Sequence, residues 1–170
     1  MAKKVSKPTP KKKRSFTLSK SNALILGATI LALGIAVFFS ILSFYFNWKA
    51  DQSILTDFAN RNAEAKNILS KFGAAIGHAL VYKGFGIAAL FLAGIIARFG
   101  WFVMTPKPRK SMVSFTIWSL VFMLWISLTL GFFGNKSPLL GGVVGFEMND
   151  FLQDYVGKTG IVLLLTLGLL

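Results

Sequence analysis

The sequence predicts an all-α integral membrane protein: four transmembrane helices, the fourth truncated, a cytoplasmic N-terminus, and amphipathic helices in the external segments. Three observations carry this expectation. Residues 23–46 run for 24 positions without a charged side chain. A helix rising about 1.5 Å per residue crosses a hydrocarbon core of about 30 Å in roughly 20 residues, so this run is long enough to span. Two more uncharged runs follow, Gly84 to Ala97 and Val113 to Phe133. Finally, Lys3, Lys4, Lys7, Lys11, Lys12, Lys13, Arg14 and Lys20 precede the first run with no acidic residue among them. Segments rich in Lys and Arg stay cytoplasmic, because the membrane potential and anionic lipid hold them there. The first helix therefore runs from inside to outside.

Composition agrees. Of 170 residues, 54% are hydrophobic and 15% charged, which places the chain in the membrane class. The net charge of +13 would also suit nucleic acid, but eight of the nineteen basic residues lie in the first twenty positions. Beside a first span, such a cluster acts first on topology and lipid. Direct DNA binding by the tail is the competing reading, and a steep salt dependence would mark it. With no Cys, the chain has no disulfide framework or thiolate metal site. His78 is the single His, so no site needing two imidazoles can form.

Residues 1–22, with Pro8 and Pro10 among lysines, read as a disordered basic cytoplasmic tail. Residues 23–46 form the first span, and closure on Phe44-Tyr45-Phe46-Asn47-Trp48 favours an uncleaved anchor over a signal peptide. Ala28, Ala32, Ala36 and Ser40 recur every four residues on it and form a candidate packing face. Residues 47–72 are external, with apolar positions at Ile54, Leu55, Phe58, Ala65, Ile68, Leu69 and Phe72. Their spacing predicts an amphipathic helix on the outer surface, with Asp51 as its N-cap and Gly73 as its stop.

The second span covers residues 79–103, with Lys83 and Arg98 near its two ends. Fifteen residues separate them, about 22 Å along a helix, so both can snorkel to opposite interfaces, as Trp48 does at the end of the first span. Gly86, Ala89, Ala93, Ala97 and Gly100 make a second small-residue face. Residues 104–112 are a short cytoplasmic turn made basic by Lys107, Arg109 and Lys110. Lys11, Lys12, Lys13, Arg14, Lys107, Arg109 and Lys110 are thus the topology-determining or anionic-lipid-binding cations. Residues 113–133 are the third span.

Residues 134–159 return outside, where Val144, Met148, Phe151, Leu152 and Tyr155 predict a short amphipathic helix between Gly141-Gly142 and Gly157. Residues 160–170 are apolar but number only eleven, so the expectation is the start of a fourth span that continues beyond this sequence.

Little here carries chemistry. Gly157-Lys158-Thr159 imitates the end of a phosphate-binding loop, but the motif needs a Gly at position 152, which is Leu, and a preceding strand. One His and no Cys assemble no nucleophile and base pair. No span contains Asp or Glu, so a proton relay through His78 lacks an acidic partner. The expectation is a segment with no catalytic, metal or cofactor site.

The layout resembles the N-terminal membrane domain of the FtsK/SpoIIIE DNA translocase family. The resemblance is carried by Phe72-Gly73-Ala74-Ala75-Ile76-Gly77-His78-Ala79-Leu80, then Phe85-Gly86-Ile87-Ala88-Ala89. Gly141-Gly142-Val143-Val144-Gly145 through Tyr155-Val156-Gly157-Lys158-Thr159-Gly160 completes it. It covers roughly residues 23–170, and His78 and Lys83 are departures from the pattern. It implies a membrane anchor at the division septum of the bacterial inner membrane, assembled as a homo-oligomer (a hexamer in the family) and in contact with other cell-division membrane proteins. The full-length members pump double-stranded DNA during chromosome segregation. The resemblance therefore implies that ATP, Mg and DNA are handled only by a motor domain beyond this segment. A small four-helix transporter or pore subunit is the alternative, and it would call for ionisable residues inside the spans.

Overall fold

The computed structural model describes residues 19–105 and 108–168, and every regular element among them is a helix. Of the predicted basic tail over residues 1–22, residues 1–18 with Lys11, Lys12, Lys13 and Arg14 lie outside the described residues, as does Lys107, whereas Lys20 to Asn22, expected to be disordered, already form the first turn of a helix. Helix α1 spans Lys20–Leu55, α2 Ser70–Gly77, α3 Leu90–Met104, α4 Arg109–Gly131 and α5 Pro138–Leu167. Between α2 and α3 the chain stays helical but changes pitch, with a π-helical stretch His78–Phe85 and a 3-10 turn Gly86–Ala89.

Three stretches are long and apolar enough to cross a membrane: Lys20–Leu55, Ser70–Met104 and Lys110–Gly131, at 36, 35 and 22 residues. Their outward faces are apolar and exposed, including Leu24, Ile25 and Leu33 on α1 and Ile117, Trp118 and Phe122 on α4. An apolar surface of this extent suits contact with lipid.

Helix α1 starts on Ser19, whose hydroxyl accepts from the Asn22 amide at 3.2 Å and satisfies one of the orphan donors of the first turn. It bends at Asn47 (φ −115°, ψ 15°), where the Asn47 side-chain amide donates to the Ser43 carbonyl at 3.1 Å. A side chain inserted into the carbonyl ladder is a sufficient cause for a kink. Beyond it the helix continues to Leu55, and residues 56–69 contain turns but no helix.

This corrects the expected amphipathic helix over residues 47–72. Asp51 is not an N-cap; it is fully buried inside α1, and Gly73 sits within α2 rather than ending a helix. The spacing of the apolar residues misled, because Ile68 and Phe72 are 70% and 74% exposed and do not share a packed face. The second span is also not the single straight helix over 79–103. It begins at Ser70 and is interrupted at Gly84 (φ −94°, ψ −125°) and Gly86 (φ 64°).

Helices α1 and α3 pack antiparallel through glycines. A Cβ on Gly27 would meet the Gly100 carbonyl at 2.7 Å, one on Gly34 the Ala97 amide at 2.5 Å, and one on Gly100 would collide with Leu31. Helices α4 and α5 meet similarly, with Gly141 and Gly145 against Ser127 and Gly131. The two pairs are joined where both chains are broken. Helix α5 leaves helical geometry at Gly142 (φ 66°, ψ 178°), and a Cβ there would lie 2.5 Å from the Gly86 amide and 2.6 Å from the Val81 carbonyl. Around this crossing lie Ile41, Phe44, Val81, Ala89, Ala93 and Leu139, the buried core.

Helix α5 breaks again at Gly157 (φ 68°, ψ 170°), so residues 143–156 form a separate rod between two glycines. After Gly157 the chain turns alongside α4, and Trp125 Nε1 donates to the Leu165 carbonyl at 3.1 Å.

Gly142 and Gly157 hold nearly the same left-handed backbone, but only Gly142 is enclosed; a Cβ on Gly157 meets nothing within 4 Å. Gly157→Ala should therefore cost about 1–3 kcal/mol of backbone strain, and Gly142→Ala the same strain plus the steric cost of the crossing, about 2 kcal/mol or more in addition. Thermal unfolding of the two variants in mild detergent measures the difference. Equal losses would place the whole cost in backbone conformation and none in the crossing.

Candidate functional site

One cluster of buried polar residues lies near the Asn47 bend of α1. Asp51 Oδ1 accepts from the Asn67 amide at 3.1 Å, and Asn67 Nδ2 donates to the Ser40 carbonyl at 3.0 Å. Ser40 Oγ donates to the Gly73 carbonyl at 2.6 Å, and Ser43 Oγ accepts from the Ile68 amide at 3.0 Å. Asn67 Oδ1 also accepts from the Leu69 amide at 3.1 Å. Ser40, Ser43, Asp51 and Asn67 are all buried. Together they clip residues 67–73 onto α1 and supply partners to backbone groups that no helix satisfies. Gly73 is required at the contact, because any side chain would strike Asn67. Asp51 Oδ2 is buried without a hydrogen-bond partner among the described residues.

An aromatic column stands next to this clip. Trp48 stacks on Tyr82 (6.3 Å between ring centroids, 17° between planes), Tyr82 stacks on His78 (5.2 Å, 11°), and Phe44 meets His78 edge-on at 6.1 Å. Lys49 Nζ lies 5.9 Å from the Trp48 ring. Rings with one apolar body and one polar edge suit the boundary between lipid and water. His78, which had no role in the sequence reading, is a stacking member of this column.

A third polar group binds α5 to α4. Ser127, 1% exposed, donates to the Gly141 carbonyl at 2.7 Å, beside the break at Gly142. Asn149, also buried, donates through Nδ2 to the Leu128 carbonyl at 2.9 Å and accepts from Gln153. The rod over residues 143–156 therefore rests on α4 by its Gly145 and Asn149 side. Met148, Phe151 and Tyr155 stay exposed, Tyr155 at 74%.

The residues singled out from sequence fall as follows. Gly86, Ala89 and Ala93 are buried between helices. Ala28 and Ala32 are exposed and Ala36 half-buried; the close approach on α1 uses Gly27, Leu31 and Gly34. Four residues turn a helix through about 400°, so a row at that spacing winds off any face by about 40° per step. A seven-residue spacing drifts by only about 20°, and Gly27, Gly34 and Ile41 follow it. That repeat was present in the sequence and would have identified the face. Lys83 and Lys110 are exposed, Trp48 is half-buried in the column, and Arg98 is half-buried with its guanidinium 5.3 Å from the Phe115 ring. Arg109 opens α4. Among the described residues no group of three or more His, Asp or Glu side chains is placed to hold a metal ion.

The clip predicts different results for two changes at one position. Asp51→Asn keeps an acceptor for the Asn67 amide in a side chain of the same shape, so thermal stability should be nearly unchanged. Asp51→Ala strands the Asn67 amide and should cost about 1–3 kcal/mol. Equal destabilisation by both would show that the charge itself is required.

Comparison with known families places this geometry. Neither curated proteins nor solved structures gave a match to the chain. One family model matches residues 21–170, and it describes the 4TM region of the DNA translocase FtsK/SpoIIIE. A match over nearly the whole chain, on a bundle of apolar helices long enough to span a membrane, shows that the chain belongs to the FtsK/SpoIIIE DNA translocase family and carries its non-catalytic membrane region.

Proposed function

We infer that this region is the membrane anchor and septal-targeting module of a DNA translocase. It holds a cytoplasmic motor at the inner membrane of a dividing bacterium, with the N-terminus and the turn between α3 and α4 on the cytoplasmic side. The observation that supports this reading is the partition of charge. Residues 1–22 and 98–112 carry twelve of the nineteen basic residues and none of the six acidic ones. Residues 47–97 and 134–159 carry all six acidic residues and seven basic ones. Such an imbalance orients a helix bundle with its basic end inside. The work of DNA pumping belongs to a downstream motor that uses ATP and Mg, and this region supplies position and assembly. Homo-oligomerisation through the exposed faces and contact with other division proteins complete the proposal.

The chain lacks cysteine, so single cysteines report topology without background. Asn60, Ser111 and Asp154 are all exposed and suit the purpose. Cysteine at Ser111 should label only from the cytoplasm, and cysteines at Asn60 and Asp154 only from outside. A fluorescent fusion to residues 1–170 should collect at the division site. Labelling of Asn60 from the cytoplasm, or an even distribution around the cell membrane, would contradict the orientation or the targeting respectively.

A further inference from the structure

We propose that the cleft between α3 and α4 binds one anionic phospholipid of the inner leaflet, with Arg98 holding its phosphate and the groove beside Gly94 taking an acyl chain. The inner leaflet follows from the orientation proposed above, and the site itself does not. Arg98 is half-buried with its guanidinium 5.3 Å from the ring of Phe115, and it shares a small cleft with Ser111, Trp101 and Met112. A guanidinium fixed on a ring presents its N–H fork in one orientation, which suits a phosphate.

Among the described residues no carboxylate supplies the countercharge. The six acidic residues are Asp51, Asp57, Glu64, Glu147, Asp150 and Asp154. The contact between Gly34 and Ala97 sets Arg98 level with Gly34, and Asp51 lies 17 residues further along α1, about 25 Å away. Glu147, Asp150 and Asp154 sit on the rod that packs at Ser127 to Gly131, while Phe115 is at least 12 residues, about 18 Å, back along α4. A half-buried cation beside lipid and remote from every carboxylate is complementary to a lipid phosphate.

The second observation is steric and independent of charge. Below Arg98, a groove of about 230 Å³ is lined by Leu90, Phe91, Gly94, Phe115 and Ser119. Phe115 thus forms both the seat of Arg98 and a wall of the groove. Gly94 lies mid-helix, where glycine is unfavourable, and a Cβ on it would meet nothing within 4 Å. The other glycines of the membrane helices are enclosed by a neighbour; this one opens a channel. The groove runs about 6 Å along α3 from Leu90 to Gly94, and Arg98 lies one further turn, about 6 Å, beyond it, so a phosphate at Arg98 sets the start of an acyl chain at the groove.

The test uses the purified chain in neutral detergent, titrated with phosphatidylglycerol or with phosphatidylcholine of the same acyl chains, and read by native mass spectrometry and by thermal unfolding. The chain should retain phosphatidylglycerol about fivefold to tenfold over phosphatidylcholine and melt higher with it. Arg98→Gln should abolish the preference, Gly94→Leu should weaken binding of both lipids with the charge intact, and Lys83→Gln should change nothing. Equal retention of phosphatidylglycerol by Arg98→Gln, or by Gly94→Leu should Arg98→Gln fail to fold, overturns the proposal. Displacement by glycerol phosphate alone at matched concentration also overturns it, since the groove would then contribute nothing. Micelles impose no orientation, so lost preference in Arg98→Gln with Ser111 labelled from outside would keep the lipid site and remove the proposed topology.

Discussion

A polypeptide inside a bilayer has no water to satisfy its N–H and C=O groups, and this constraint decides where the fold permits irregular backbone. Two of the helical stretches are broken, the second span at Gly84 and Gly86 and α5 at Gly142. Each break lies against the other, with Gly142 pressed on the backbone of Gly84, Gly86 and Val81 and Gly86 pressed on Leu140. Non-helical backbone inside an apolar bundle persists only when protein encloses it. Ser127 completes the enclosure by donating to the Gly141 carbonyl, and the Gly86 amide finds the Val81 carbonyl. No residue with a side chain fits at the point of contact.

The rest of the bundle follows from that crossing. Helices α1 and α3 form one pair and α4 and α5 another, each closed by glycine contacts, and the crossing is the joint between the pairs. Above it, buried Ser40, Ser43, Asp51 and Asn67 replace the helix that residues 56–69 do not form. Packing in lipid gains little from hydrophobicity and depends on close approach and on hydrogen bonds between helices. Most large apolar side chains are accordingly on the outside, and the helix contacts are made by small or polar residues around a core of Ile41, Phe44, Val81 and Leu139.

How much of this the sequence revealed depends on the type of signal. Long uncharged runs and the basic cluster at Lys11 to Arg14 predict a helical membrane protein, because length and charge act without tertiary context. The family could be read from glycine patterns, and the match over residues 21–170 agrees with that reading. The packing face was harder. Ala28 and Ala32 invite the reading of a four-residue row, yet the seven-residue repeat of Gly27, Gly34 and Ile41 makes the contact. Asp51 looked like a cap because Asp favours that place. Its actual role depends on Asn67, sixteen residues away across a segment with no periodicity. The break at Gly84 to Gly86 carries no local mark distinguishing it from ordinary glycine in an apolar run, since its cause is the approach of α5.

The two irregular backbones at Gly84 to Gly86 and Gly142 protect each other where they cross. Hydrogen–deuterium exchange of the chain in lipid nanodiscs tests it most directly, comparing peptides covering residues 81–89 and 139–146 with the turn segment 56–66. The account predicts that both broken stretches exchange as slowly as the α1 contact at Gly27 to Gly34, and far more slowly than the turn segment. Exchange at the breaks as fast as in residues 56–66 would mean that water reaches them, and the crossing could not then be what holds the bundle together.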